Sequence, residues 1–310
     1  MQGMMKGIFF AAIAAMRLAA ITANFDGKAG VAALDLDTGQ RITFHENDAF
    51  PMASVCKVPV AIAFLQGVDR GEVSLDTTVT LGPDDFHAGA SVIADEAKGQ
   101  PITLTLGRLL THMVRDSDNS AVDYLLAHYV SPKEVTKAMR AIGVKNVDVD
   151  RPEGMIIGEI LNEGDVIETR VRYEKRMKSM SQVELATGLQ KFWRDQRDLA
   201  TPIAIAELFA KIHRHEVGLK PDSEAILMKA LRDAGAGPDR IRAGIPPDAT
   251  LAHKTGTMPG TLNDAGIITS PDGKHHIAIA IFTKWSRGTD ADRAKVVAAM
   301  AKAVYDDLAK

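Results

Sequence analysis

The chain has 310 residues, a formal net charge of −3, 46% hydrophobic and 25% charged residues, the profile of a folded protein with one large or two smaller domains. Such a near-neutral balance supplies no basic field for nucleic acid or an anionic membrane surface, so a small molecule is the expected partner. Its only cysteine, Cys56, excludes an intrachain disulfide, a thiolate zinc cluster and an iron–sulfur site.

Residues 4–23 are almost entirely apolar behind Lys6 and end on small residues. That layout predicts a secretory signal cleaved after Ala23 and a periplasmic or secreted protein. Arg17 interrupts the apolar run, so no permanent membrane span is expected, and the same stretch would also serve as an N-terminal helix packed on the body. Residues 30–36 and 41–45 are β-compatible and flank Asp37, Thr38, Gly39 and Gln40, which is hairpin chemistry. Residues 58–68, 105–113, 120–128, 132–142 and 203–212 read as helices. The stretch from Gly154 to Gln196 is locally basic through Arg170, Arg172, Lys175, Arg176 and Lys178, and reads as a solvated helix face rather than an interaction site. A strand is expected over 249–255, and a hairpin over 265–269 and 276–283 around Pro271-Asp272-Gly273. Val297, Met300, Ala301, Val304 and Leu308 fall at helical spacing, so a final helix covers one face of the sheet. The pattern predicts an α+β chain of two lobes, an antiparallel sheet built from both chain ends and a helical insertion between them.

Ser54-Val55-Cys56-Lys57 stands where a Pro51-containing loop meets an apolar helix. A serine and a lysine three apart share one helix face, so the amine can reach the hydroxyl, and a desolvated lysine can activate a serine nucleophile. Alone, the pair would equally be an N-cap serine and a snorkelling lysine. Ser117-Asp118-Asn119 follows an apolar helix, and Lys254-Thr255-Gly256-Thr257 ends a predicted strand. The three in this order form the S-x-x-K, S-D-N, K-T-G set of class A β-lactamases and penicillin-binding proteins. The chain resembles that family, and within it the class A β-lactamases, from Gly30 to the C-terminal helix.

The resemblance implies a β-lactamase/transpeptidase-like fold, with a five-stranded antiparallel sheet flanked by N- and C-terminal helices and an all-helical lobe. Its boundaries would be 1–23 for the signal or helix, 24–53 and 206–310 for the sheet lobe, and 54–205 for the helical lobe with an Ω loop over 150–202. It implies a serine β-lactam hydrolase that needs no metal or cofactor, acts as a monomer and opens the lactam through an acyl-enzyme at Ser54. Lys57, or Glu153 acting through a water, would take the serine proton. Ser117 would relay a proton to the lactam nitrogen beside Lys254. The backbone N–H groups of Ser54 and Thr257 would form the oxyanion hole. Asn119 would hold the acyl-side amide, and Thr255, Gly256, Thr257 and Arg240 the carboxylate side, with Arg242 the second choice for Arg240. Arg151-Pro152-Glu153 resembles the start of the Ω loop, with Asp198 pairing with Arg151 at its end and Glu153 activating the deacylating water. Thr257, Gly260, Thr261, Asn263 and Asp264 also agree with this branch. A D,D-peptidase or esterase of the same family, and an acylated sensor that barely turns over, are the alternatives.

Several residues depart from the family pattern. Arg151 and Asp198 lie 47 positions apart, so the loop holds about thirty extra residues, beyond the usual Ω-loop size. Glu159-Ile160-Leu161-Asn162 offers a second register for the water-activating glutamate. Glu153 is preferred because its spacing from Arg151 is intact and a base must be held rigidly. Asp123 replaces an asparagine that supports this loop in the family, a change that bears on deacylation rather than acylation. Some relatives bridge a cysteine at the Cys56 position to the residue after K-T-G-T; that residue here is Met258, so Cys56 is expected to be a buried small hydrophobe. Pro59 lacks a backbone donor and either kinks the helix beside the nucleophile or simply packs there. His213 with His215, and His275 with His276, diverge at their spacing and are read as structural rather than metal ligands.

Overall fold

The structure is a computed structural model that describes residues 2–309, with side chains from residue 12 onward. The side chain of Lys6 and the first part of the apolar run therefore lie outside the described residues. Helix α1 (Gln2–Thr22) leads into strands β1 (Lys28–Asp35), β2 (Arg41–Phe44) and β3 (Phe50–Pro51), then helix α2 (Lys57–Asp69) and strand β4 (Thr78–Leu81). Helix α3 (Val92–Ala97), strand β5 (Ile102–Thr105) and helices α4 (Leu106–Arg115), α5 (Asn119–His128) and α6 (Pro132–Ala141) follow. The long segment before Asp198 holds α7 (Glu153–Ile160), α8 (Arg170–Ser179) and α9 (Gln182–Arg194). After it come β6 (Leu199–Ala200), α10 (Pro202–His213), α11 (Pro221–Arg232), α12 (Ile241–Gly244), β7 (Thr250–Met258), β8 (Thr261–Thr269), β9 (His276–Lys284) and α13 (Asp290–Leu308).

Five strands form one antiparallel sheet in the order β2-β1-β9-β8-β7. The first hairpin turns on the Asp35 carboxylate, which accepts the backbone N–H groups of Asp37 and Thr38 at 2.9 and 3.1 Å and so imposes an Asx turn. Both faces of the sheet are covered, which is why β9 is apolar from Ile277 to Phe282. Ile277, Ile279 and Ile281 pack with Leu18 of α1 and with Val297, Met300 and Val304 of α13 on one face. Ala278, Ala280 and Phe282 pack on the other with Phe50, Phe64 and Phe209. The period of two assigns alternate residues to two cores.

Helix α1 packs on α13 through Ala14 and Leu18, and Arg17 pairs with Asp306 at 3.0 Å. No helix among the described residues is long and apolar enough to cross a membrane. Two features refine the expected architecture. The helical lobe also carries a ribbon, β4 paired with β5, whose Thr-Val-Thr-Leu and Ile-Thr-Leu-Thr sequences alternate as a half-buried ribbon requires. The enlarged loop is folded, not open: Thr169 caps α8, and Ser181 and Glu184 form a capping box on α9. Leu185, Leu189 and Phe192 then fall on one face of α9 and pack on Ile156 and Ile160 of α7.

Candidate active site

Ser54 lies in a 3₁₀ turn, Ala53–Cys56, that feeds α2 at Lys57. Pro59 sits in the first turn of α2, where a backbone N–H would have no partner within that helix, so the proline costs α2 no hydrogen bond. The turn is tied down from two sides. Asn263 of β8 donates its amide to the carbonyls of Pro51 and Met52 at 2.8 and 3.0 Å, and the Met52 N–H bonds the Asp198 carbonyl at 3.1 Å. Gly256 lets the edge strand β7 lie against the turn, since a Cβ there would stand 2.7 Å from the Met52 oxygen and 3.2 Å from the Ser54 nitrogen. Ala53 (φ 48°) and Ser117 (φ 61°) both adopt the left-handed region that costs a non-glycine residue energy.

The buried Lys57 ammonium donates to Ser54 Oγ at 2.9 Å, to the Ser117 carbonyl at 2.8 Å and to Asn119 Oδ1 at 2.6 Å. All three of its N–H bonds are thereby engaged. Ser54 Oγ in turn donates to Glu153 Oε1 at 3.1 Å. Lys254, also buried, donates to Ser117 Oγ at 2.9 Å, and Lys57 lies 3.4 Å from the same hydroxyl. Burial, with the Lys57 charge nearby, brings the Lys254 amine down from 10.5 to about 7. Asp118 caps α5 by accepting the Ala121 N–H at 2.9 Å, which orients the loop carrying Ser117 and Asn119.

Glu153 begins α7, and its position is set by Asp123. One Asp123 oxygen accepts the Glu153 N–H at 2.8 Å, while the other accepts the Gly154 N–H at 2.7 Å and contacts His87 Nδ1 at 2.8 Å. The aspartate at the usual asparagine position thus caps the helix that carries Glu153. Glu159 lies elsewhere: it pairs with Arg151 and with Arg197, the latter at 2.6 Å. Arg151 also holds Asp198 at 2.7 Å and Asp195 at 2.8 Å, clamping the loop base through one buried cation. Cys56 is buried 3.7 Å from Glu153 Oε1; burial and the Glu153 charge push its thiol well up, keeping it protonated.

Arg240 donates to the Gly256 and Asn263 carbonyls at 3.2 and 2.8 Å and to Thr257 Oγ1 at 2.6 Å. Its Nε is buried without a hydrogen-bond partner, 4.0 Å from the Asp239 carboxylate. Arg242 turns away to the Ala249 and Pro246 carbonyls. Ser54, Ser117, Asn119, Glu153, Arg240, Thr255 and Thr257 all line one cleft of about 820 Å³ between β7, the α5 loop and α7. Lys57 and Lys254 lie beneath it through their bonds to Ser54 and Ser117.

Three of the four singled-out histidines serve carboxylates, His275 meeting Asp35, His276 Asp37 and His215 Glu224, while the His213 ring lies against that of His276 at 4.6 Å between centroids. Among the described residues no group of three or more His, Cys, Asp or Glu side chains is arranged to hold a metal. The basic stretch is largely paired, with Arg170 on Asp95 and Arg176 on Glu163 and Glu184. Sequence reasoning missed His87, which no local pattern links to Asp123. It also missed Tyr173, Met177 and Leu185, which the folded loop brings to the cleft.

A model of the Beta-lactamase enzyme family matches residues 13–308. The beta-lactamase SME-1 of Serratia marcescens is 27% identical over 288 residues, 92% of this chain and 85% of that protein. The crystal structure of a beta-lactamase from Chitinophaga pinensis aligns at 30% identity with a TM-score of 0.76, covering 94% of this chain and 98% of the other. That of a beta-lactamase from Xanthomonas campestris aligns at 26% identity with a TM-score of 0.78, over 97% and 99%.

Proposed function

The chain belongs to the beta-lactamase enzyme family, as a class A β-lactamase, and from that premise we propose that it hydrolyses β-lactams through an acyl-enzyme at Ser54. The observation that carries this reading is the paired contact of Ser54 Oγ, which accepts from Lys57 and donates to Glu153. The Ser54 hydroxyl points its proton at Glu153, so Glu153 takes it, while Lys57, donating to the same oxygen, stabilises the alkoxide. The Ser54 oxygen adds to the lactam carbonyl, whose developing negative charge the N–H groups of Ser54 and Thr257 receive. Collapse breaks the carbon–nitrogen bond. The lactam nitrogen takes the Ser117 hydroxyl proton; Lys57, 3.4 Å from that oxygen, then gives Ser117 a proton and, with a lone pair now free, takes back the one held by Glu153, 3.7 Å away. Glu153 then removes a proton from water, which adds to the acyl carbon, and returns that proton to Ser54 Oγ as the acyl bond breaks. Asn119 holds the acyl-side amide, while Thr255, Thr257 and Arg240 receive the substrate carboxylate.

Export to the periplasm or medium is part of the proposal and rests on the apolar pattern of residues 4–23; because Ala14, Arg17 and Leu18 of α1 pack on α13, the cleavage point is placed before them rather than after Ala23, and N-terminal sequencing of the mature protein tests it. Ser54→Ala tests the nucleophile. Intact-mass analysis after penicillin should show the adduct on the parent and none on Ser54→Ala, whereas an adduct persisting on the variant rejects the assignment.

A further inference from the structure

The folded segment between Arg151 and Asp198 adds to the cleft a wall that the chemistry at Ser54 does not use. Ile157 of α7 lines it, joined by Tyr173 and Met177 of α8 and Leu185 of α9. The wall is firmly mounted. Gly188 brings α9 so close to α7 that a Cβ there would lie 1.8 Å from the Ile160 carbonyl oxygen. At its far end, α9 reaches the β7–β8 turn, where the Trp193 indole donates to the Pro259 carbonyl at 3.0 Å. Helix α8 pairs its three arginines with acidic partners, Arg170 with Asp95 at 2.6 Å, Arg172 with Glu168 at 3.4 Å and Arg176 with Glu163 at 2.8 Å. Its apolar Met177 faces the cleft and is still 40% exposed.

Gly89 relates this wall to the reacting group. A Cβ on Gly89 would stand 2.5 Å from Asn119 Nδ2 and 3.7 Å from Ile157 Cδ1, so the wall begins one side chain's width from the amide assigned to the acyl side of the substrate. A substituent beyond that amide passes onto Ile157 and then toward α8 and α9. A charged substituent would lose water there without a partner among these side chains. An aromatic one would meet a tyrosine ring, a thioether and a leucine.

We propose that the inserted helices form a subsite that selects β-lactams with a bulky apolar, aromatic acyl side chain, with Tyr173, Met177 and Leu185 as its contacts. The proposal rests on the assignment of Ser54 and Asn119 above. Its test compares kcat/KM for benzylpenicillin with that for the penicillin carrying an acetyl group in place of the phenylacetyl, which keeps the amide assigned to Asn119 and lacks the aromatic ring. The parent should prefer benzylpenicillin roughly tenfold or more, the scale of discrimination an apolar pocket supplies. Met177→Glu, at an exposed position that tolerates charge, and Leu185→Asn should each cut that preference at least fivefold on this scale. Val183→Glu, on α9 at a 75% exposed position outside the cleft lining, should keep it. A preference unchanged in Met177→Glu, or equal losses on both substrates in both wall variants, overturns the subsite while leaving the hydrolase intact. Absence of both turnover and covalent adduct in the parent overturns the Ser54 assignment and the subsite with it.

Discussion

Asp123→Asn is a test of how Glu153 is held. The Asp123 side chain is fully buried and accepts two backbone N–H groups, from Glu153 and Gly154, besides contacting His87. An asparagine has one acceptor oxygen, so it can keep one of those amides and must turn its NH₂ toward the other. His87 can adapt by presenting an unprotonated Nδ1 to that NH₂, but a backbone amide cannot. One buried N–H is left without a partner, at a cost of about 1–3 kcal/mol. Asp123→Ala orphans both amides and should cost more. Urea unfolding reads the stability change at constant slope, and acyl-enzyme decay in the same variants reads Glu153 positioning. A deacylation rate that falls with the stability, and falls more in Asp123→Ala, is expected. An Asp123→Asn protein as stable as the parent and deacylating as fast would refute the two-amide cap.

Arg240→Ala should lower kcat/KM roughly ten- to a hundredfold, the scale of a lost charged hydrogen bond, with a much smaller loss for an analogue lacking the carboxylate. Equal losses on both would make Arg240 a structural residue. Lys254 titrates at about 7 in the folded protein against 10.5 for an ordinary lysine. The unfolded chain therefore binds the extra proton between those values, so Lys254 makes stability rise with pH across that window; urea midpoints of the parent and Lys254→Met at pH 7 and 9 read this directly. For activity, kcat/KM should descend as pH rises through about 7 and the cation beside Ser117 is lost. Lys254→Arg, which stays charged, should remove the descent.

How much of this was legible in the sequence varies with the range of the interaction. The hairpin around Asp37 to Gln40 and the helix beginning near Val58 follow from periodicity and turn chemistry, both written within a few residues. Ser54, Lys57, Ser117 and Lys254 stand out through three short patterns, although none fixes a distance. The folded loop was written locally too, in the Ser181–Glu184 box and the Leu185, Leu189, Phe192 spacing; those helices gain their stability from partners outside them, Ile156 and Ile160 of α7, Met258 and Asp95 among them, which pattern reading cannot supply. His87 and Asp123 are 36 positions apart and meet because the chain before α3 crosses the loop near Thr169. Arg240 and Arg242 are two positions apart and indistinguishable by composition, yet one meets Thr257 and the other the Ala249 and Pro246 carbonyls. The two glutamates separate for the same reason, Glu153 being capped by Asp123 while Glu159 is drawn to Arg151 and Arg197.

The account rests on Glu153 acting on the group bound to Ser54, and time-resolved intact-mass spectrometry with benzylpenicillin tests it most directly. The parent should carry the adduct transiently and return to its free mass. Glu153→Ala should acylate more slowly and then hold the adduct, because the nucleophile and the oxyanion donors remain while the water loses its base. Glu159→Ala should clear its adduct as the parent does. An adduct held by Glu159→Ala and cleared by Glu153→Ala would contradict the account, as would a parent that stays acylated for hours.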